Sequence, residues 1–441
     1  MKLAVRAIGL LLLFAALAGA SAAPLSLDDC IKLALQNRAA IIAARGQESL
    51  AAANERAALG AFLPSVSASY DYTKFDIRHR KLEGPDSLGN QIQITQPNLK
   101  YTDKATNVGG SWGITIPDVW FSYVASRADH ESSRLDVIAS EQDMILAVKT
   151  SYYSYLAAVQ NVTVQEDAVK RSEEQLKLIQ SKYDLGSAAL SDVLKQKVQY
   201  GNDRLSLLSA QNAVTNAEAT LAYTIGLDPR QEQQFDTTYT AREYDGTLDD
   251  AIGFGLAHRP SLLSLEKSLS ATKSRLNLAY SGYAPKVTPF ASYGYSKSTT
   301  VSPATFSTRT QSSNTLSYGF GLSLNIFDGF LREQKVTSAK IQRNNTMAQL
   351  VDARNLVASQ IKTAYLDIQQ LKEQKNVSNE NVAATTEDLK ITQEKYNLGA
   401  ATILDLLTSQ VSLKQAQVSL IQADFDLNLA ISQLENAMGK M

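Results

Sequence analysis

The chain has 441 residues, 44 % of them hydrophobic and 20 % charged, with a formal net charge of −1. That balance excludes bulk electrostatic attraction to nucleic acid or anionic lipid, and a single cysteine, Cys30, excludes an internal disulfide. The prolines stand outside the long middle segments, which are therefore free to stay helical over great lengths.

The chain opens with Lys2 and Arg6, then an apolar run from Ala7 to Ala18 broken only by Gly9. Ala20-Ser21-Ala22-Ala23 and Pro24 follow, so residues 1–22 read as a secretory signal peptide cleaved at small residues. The apolar run is too short for a spanning helix, and the small-residue site argues against an uncleaved anchor. No later stretch reaches the ~20 apolar residues of a membrane helix. Cys30 follows Asp28-Asp29, which is the wrong context for lipid attachment, and is expected to be half-buried in a first helix.

A first strand is predicted where Val66, Ala68, Tyr70 and Tyr72 alternate with small or polar residues. A polar loop, Arg78 to Ala105, separates it from a second strand carrying Val108, Gly110, Trp112, Ile114 and Ile116. From about Phe121 to Lys182 the sequence is helical, with Tyr155, Val162, Val169, Leu176 and Tyr183 at heptad spacing. A turn leads to a second helix marked by Tyr200, Leu207, Val214 and Leu221. Asp228-Pro229 to about Gly246 is polar and without period. The order then repeats: a strand from Val287 to Tyr295, a Ser/Thr-rich loop from Ser296 to Thr315, and a strand with Leu316, Tyr318, Phe320, Leu322, Leu324 and Ile326. Helix returns from about Leu331 to Lys395, with Ile368, Val382, Leu389 and Tyr396 in register. The last helix carries two seams, Leu413, Leu420, Leu427, Leu434 and Leu404, Val411, Val418, Phe425, which imply two neighbouring helices.

The chain is thus written twice. Tyr183-Asp184-Leu185-Gly186 matches Tyr396-Asn397-Leu398-Gly399 at a separation of 213 (396 − 183), as do Tyr152 with Tyr365, Asp192 with Asp405 and Gly226 with Gly439. Leu27-Asp28-Asp29 matches Leu248-Asp249-Asp250 at 221 (248 − 27), together with Arg38 and Arg259 and with Pro64 and Pro285. The expected organisation is a signal peptide (1–22), a first repeat (23–226), a linker (227–247) and a second repeat (248–441).

Strands of ~10 residues with one greasy and one polar face suit a membrane barrel wall. A lone strand of this kind would better suit a soluble sandwich, but four strands are too few for one. A sheet in lipid cannot leave its edges unpaired, and closure takes at least ~8 strands. Several copies must therefore share a barrel: two would give about eight strands, three about twelve with a lumen.

With these features in place, the sequence resembles the TolC-like outer-membrane efflux family over essentially the whole mature chain. The resemblance rests on the doubled Lys-Tyr-x-x-Gly turn followed by an aspartate (Lys182, Tyr183, Gly186, Asp192; Lys395, Tyr396, Gly399, Asp405). It rests also on Leu63-Pro64-Ser65 and on Leu324-Asn325-Ile326-Phe327-Asp328-Gly329. It implies a mainly α fold with a membrane β part: a long coiled-coil α-barrel plus four transmembrane strands per chain, with a homotrimer forming a twelve-stranded barrel. It implies an outer-membrane duct, surrounded by lipid, that conducts passively from an inner-membrane transporter through a periplasmic adaptor protein. Leu185, Gly186, Leu398 and Gly399, with Lys182 and Lys395, would form the adaptor-docking tip, although a tight turn alone would explain the glycines. Asp192, Asp405, Tyr396 and Tyr183 would form the pore entrance and its gate, although helix N-termini favour aspartates in any case. Where the best-known pattern has an arginine clamp and a second aspartate, this chain has Ala401 and Thr408. Trp112 and Trp120 are candidates for an interfacial aromatic belt, with core packing the other reading of Trp120.

No catalytic or metal site is expected, and no cofactor. His79, His130 and His258 are scattered, and neither a phosphate-binding glycine loop nor a nucleophile constellation is present. Small-molecule efflux is the expected function. Protein secretion on the same architecture and a non-conducting periplasmic coiled coil are the alternatives.

Overall fold

The computed structural model describes residues 24–441 apart from 79–80, 96–98, 232, 240–241 and 303–306. The expected signal peptide and His79 lie outside the described residues. Two helices, α1 (Leu27–Asn37) and α2 (Ala39–Gly60), precede β1 (Ser65–Ile77), β2 (Lys81–Pro85), β3 (Gln91–Thr95) and β4 (Leu99–Gly113). A long helix, α3 (Asp118–Asp184), and its partner α4 (Leu190–Thr224) complete the first pass. The second pass is α5 (Leu248–His258), α6 (Pro260–Ser281), β5 (Lys286–Ser302), β6 (Ser307–Ser323), α7 (Leu331–Asn397) and α8 (Ile403–Met438). At 67 residues each, α3 and α7 are about 100 Å long. Among the described residues no helix is long and apolar enough to cross a membrane. The chain divides into two compact units: Ser49–Ser132 with Leu265–Gln349, and the described part of Met1–Glu48 with Ser133–Ser264 and Leu350–Met441.

The first of these holds the strands. They form one antiparallel sheet in the order β1-β4-β5-β6, and β2 and β3 pair separately. Directly paired residues share a face, so the register sorts every side chain. Val66, Ala68, Tyr70 and Tyr72 of β1 share a face with Val108, Gly110 and Trp112 of β4. The same face continues through Pro289, Ala291, Tyr293 and Tyr295 of β5 to Leu316, Tyr318, Phe320 and Leu322 of β6. The opposite face is mostly Ser, Thr, Asn and Gly; Phe290 is one large exception, its ring covering Gly319, where an added Cβ would come within 3.1 Å of it, and Phe75, stacked on Tyr101 near the far end of β1 and β4, is another.

The strands are longer than the sequence pattern indicates. The expected loop from Ser296 to Thr315 is mostly strand, because β5 and β6 pair as far as Ser302 and Ser307. The expected loop from Arg78 to Ala105 holds the β2–β3 hairpin and the first half of β4, so the described residues contain six strands rather than four. Beyond the apolar band both faces of β5 and β6 are largely polar, which removes the alternation there while leaving the cross-strand hydrogen bonds intact. The strands also stop earlier at the other end. β4 ends at Gly113 and β6 at Ser323, although Ile114 N and Ile116 N still donate to Pro289 O and Val287 O at 3.3 Å.

In the helical unit, the single opening helix expected in each repeat is two helices, broken where Arg38 and Arg259 turn extended. Ser26 and Thr247 cap α1 and α5 through the amides of Asp29 and Asp250. α1 buries Cys30 completely, not by half, against Val148, Tyr152 and Leu221, and burial pushes the thiol up to about 11. α5 sits equivalently against Ile361, Ile368, Leu434 and Met438. The linker is tied to this core: Leu25 N donates to Gln234 O at 2.8 Å and Tyr152 OH to Asp236 O at 2.6 Å. Arg242 bonds Glu435, which Lys149 also reaches at 3.4 Å.

Four helices end in the same way, on a glycine with left-handed φ: Gly186 (78°), Gly226 (79°), Gly399 (74°) and Gly439 (73°). In each, the glycine N–H donates three residues back and the next N–H five residues back, which satisfies the last carbonyls. Two of these ends are also crowded. A Cβ on Gly226 would lie 2.8 Å from Asn37 Cβ, and one on Gly439 2.8 Å from Arg259 Cα. Gly439→Ala therefore combines roughly 1–2 kcal/mol of left-handed strain with an overpacking cost of roughly 1–3 kcal/mol. Gly399→Ala, which has open space around it, carries the first alone. Thermal unfolding in detergent should rank Gly439→Ala well below Gly399→Ala, and equal losses would refute the crowding argument.

Candidate entrance at the hairpin tips

Each repeat folds its two long helices into a hairpin, and the α3–α4 and α7–α8 hairpins meet near their turns. Ile179, Val193, Ile403 and Leu406 are buried together, with Leu176, Leu389, Tyr396 and Leu407 packed around them. The turns place Leu185 and Leu398 at the extreme tips, each 84 % exposed. Gly186 and Gly399 make those turns through positive φ with nothing near them, so their role in the chain is conformational.

The lysines of the two turns are not equivalent. Lys182 is half-buried and directs its amino group across to the second hairpin, 3.3 Å from Asn397 Oδ1 and 4.8 Å above the Tyr396 ring. Lys395 is exposed. Tyr396 is half-buried, and burial followed by the nearby Asp192 carboxylate pushes its phenol above the ordinary value. Tyr183 is more open, at 38 % exposure. The structure thus brings Lys182, Asp192 and Tyr396 together between the hairpins.

Asp405 is exposed in the first turn of α8, where it forms a reciprocal cap with Thr402. Thr402 Oγ1 and N donate to its Oδ2 at 2.7 and 2.8 Å, and Asp405 N returns a bond of 3.2 Å to Thr402 Oγ1. The Thr402 hydroxyl, then its amide, hold the Asp405 carboxyl below the usual carboxylate value, so it is ionised at neutral pH. Asp192 lies in the equivalent turn of α4, but Ala189 at the cap position offers no side-chain bond. The helix-capping and entrance readings of Asp405 therefore coexist, because the cap occupies one oxygen and leaves the charge in water.

Farther along the hairpins lies a pair that heptad reading did not single out. Lys414 Nζ is 2.9 Å from Asp203 Oδ1, with side chains only 19 % and 5 % exposed, and Gln199 Nε2 donates to both Asp203 oxygens at 3.1 Å. This ties α4 to α8. Charged residues inside otherwise apolar helix seams were the available signal, but nothing in sequence pairs residues on different hairpins. The inner seam of α3 is also shifted from the predicted one. Gln165, Ala168, Ser172, Gln175 and Ile179 are buried at 3–4 spacing, whereas Tyr155, Val162, Val169 and Leu176 are half-buried. Small and amide side chains let the helices approach closely, which leaves the greasier stripe partly open. Trp120 is 55 % exposed, against the core-packing reading, while Trp112 Nε1 donates to Phe62 O at 2.9 Å.

A sheet with one apolar and one polar face, carried with long helical hairpins and exposed tips, defines a channel subunit of membrane β and helical parts. Among the described residues no metal cluster is present. The chain belongs to the outer membrane efflux protein family, whose sequence model matches residues 30–227 and again residues 253–440. It is an outer-membrane exit duct for efflux, its helical part extending into the periplasm. It is similar to the outer membrane efflux protein BepC of Brucella suis, 22 % identical over 96 % of this chain and 88 % of that one. Similarity to the outer membrane protein TolC of Vibrio cholerae is 22 % over 73 % of each chain. The fold is shared with the Campylobacter jejuni CmeC outer membrane channel (TM-score 0.78, 17 % identity, 94 % of this chain and 85 % of that one). It is shared equally with the Vibrio cholerae outer membrane protein VceC (TM-score 0.75, 20 % identity, 94 % and 96 %).

Breaking the buried pair by Asp203→Ala leaves Lys414 uncompensated and should cost about 3 kcal/mol. The doubly apolar Asp203→Leu/Lys414→Met should recover most of that loss in denaturant unfolding; no recovery would show that the cost is not that of an orphaned charge.

Proposed function

We propose that three copies of this chain close into one passive duct for small molecules, with the hairpin tips as its periplasmic entrance. The observation that carries this reading is the four-stranded sheet with two unpaired edges, β1 and β6. In lipid those edges must be paired, and three copies make twelve strands with room for a lumen. The Ser, Thr and Gly face then lines the lumen and the Tyr, Leu and Val face meets lipid. The two repeats, 23–226 and 248–441, joined by the linker 227–247, supply equivalent wall segments, so the entrance is sixfold in outline and threefold in chemistry. The duct catalyses nothing; its energy comes from an inner-membrane transporter, linked to it by a periplasmic adaptor protein.

Leu185 and Leu398, with the turns at Gly186 and Gly399 and the lysines Lys182 and Lys395, form the adaptor contact. The support is the 84 % exposure of Leu185 and Leu398 at the ends of the hairpins, with Lys395 exposed beside them and Lys182 half-buried. Asp192 and Asp405 ring the entrance with carboxylates, and Tyr396 and Tyr183 border them. A small-molecule cargo is supported by similarity to the pyoverdine export outer membrane protein OpmQ of Pseudomonas putida, 22 % identical over 93 % of this chain and 83 % of that one.

Planar-bilayer recording tests the reading. Asp405→Ala and Asp192→Ala should each weaken cation selectivity and divalent block; unchanged selectivity would put the residue outside the pore. A purified protein that forms no channel, even with the tips destabilised, would overturn the duct itself.

The cap gives a pH signature. Because its bonds lower the Asp405 pKa, the stabilisation they provide is present above the usual carboxylate value and lost as pH falls through the lowered one. Thr402→Ala should bring the pKa back up, so acid should abolish cation selectivity at a higher pH than in the parent. An unmoved midpoint would mean that Asp405 does not set the selectivity.

A further inference from the structure

We propose that Lys74, Lys104 and Lys297 form a phosphate-binding row on the outward face of the sheet, where they hold a phosphorylated lipid of the outer leaflet. The inference rests on the reading of that face as the one that meets lipid. The chain enters the sheet from α2 at Ser65 and leaves it for α3 after Gly113. With the helices in the periplasm, the other ends of the strands point to the exterior. The register puts the three lysines on the face of Tyr70, Tyr72, Val108 and Tyr295, at the outer limit of the apolar band. Lys104 stands opposite Tyr72 on one side and Thr299 on the other, and Lys74 and Lys297 lie two residues from those partners. The lysines are thus diagonal neighbours across three adjacent strands, roughly 7–8 Å apart. Flexible stems bring ammonium groups at that spacing onto one phosphate.

The charges around the row supply a second, independent observation. All three lysines are exposed, and none has a carboxylate partner among the described residues. Lys74 and Lys104 instead share one aromatic ring, their ammonium groups 5.7 and 5.9 Å from the centre of Tyr72. Asp76, the one carboxylate on the outward face of the four strands, is already held by Arg78 at 2.7 Å and by Lys100 at 3.8 Å. The inner face at the same level is mixed, with Asp71, Asp103 and Arg309, and Ser298 Oγ donates to Asp103 Oδ1 at 2.7 Å. Strand ends made polar for solubility alone intersperse both signs, as the inner face does. The outward face carries unpaired cations where hydrocarbon gives way to headgroups, so its counter-charge comes from the membrane. A net charge of −1 for the whole chain conceals this local row.

Binding of lipid A, a bisphosphorylated glycolipid, to the full chain in detergent micelles tests the row, with phosphatidylcholine as the reference of no net charge. The parent should prefer lipid A, and K74Q/K104Q/K297Q should lose that preference by roughly fivefold for each lysine removed. K74R/K104R/K297R, which keeps the charges, should retain most of it. Removing three exposed helix lysines instead, in K170Q/K197Q/K340Q, should leave it unchanged. Full preference in the glutamine variant of the row would overturn the proposal, as would an equal loss in the arginine variant or in the helix variant. Complete competition by millimolar inorganic phosphate would also overturn it, by showing a site for a free anion. Phe320→Trp in vesicles of brominated phosphatidylcholine, read as emission added to the parent, checks the underlying reading. If it is quenched and lipid A is not preferred, the row fails alone; if no brominated lipid quenches it, the lipid-facing reading of the sheet fails as well.

Discussion

Backbone hydrogen bonding in a medium without water is the constraint on which this protein depends. A helix satisfies its own N–H and C=O groups, whereas a strand needs a neighbour on both sides. The chain puts its strands into a sheet of four with open edges at β1 and β6, so the sheet is incomplete in one copy. The side chains follow from the same requirement. Tyrosine, leucine and valine occupy the face suited to lipid and mostly serine, threonine and glycine the other, as a wall between two solvents requires.

Duplication reuses one local device for two purposes. A glycine-ended helix appears at Gly186 and Gly399 with nothing around it, and at Gly226 and Gly439 pressed against the α1–α2 and α5–α6 breaks. At the first pair it turns the chain at an exposed tip. At the second it lets the end of a long helix close on Asn37 or Arg259, where no larger residue fits. Chemistry then breaks the symmetry: Thr402 caps Asp405 while Ala189 leaves Asp192 uncapped, and Lys182 reaches across to Tyr396.

The helical part is held by fewer large apolar contacts than its length suggests. Glutamines, serines and the Asp203–Lys414 pair occupy buried positions between helices. Polar groups at such positions lower stability but fix which helices pair and in what register. The large apolar clusters lie instead where α1 and α5 pack on the hairpins, and there the linker is fastened by Arg242, Lys149 and Glu435.

Much was legible in the order of residues alone. Period two marked the four strands of the sheet, the absence of proline marked α3 and α7, and the doubled Tyr-x-x-Gly located both tips, because each is a rule about neighbours in the chain. The polar ends of the strands were not legible: Ser296 to Thr315 shows no alternation once both faces are polar, and only cross-strand bonding makes it β. Nor were the break at Arg38 or the left-handed Phe330, which carry no local signature, whereas Pro260 is the local mark of the break at Arg259. The sequence by itself determined the elements and their duplication. Tertiary structure alone decided that Lys182 meets Tyr396 and that Asp203 meets Lys414 211 residues away. The reason is physical: periodicity reports which face a side chain takes, whereas a contact between distant residues exists only once the helices have chosen their partners.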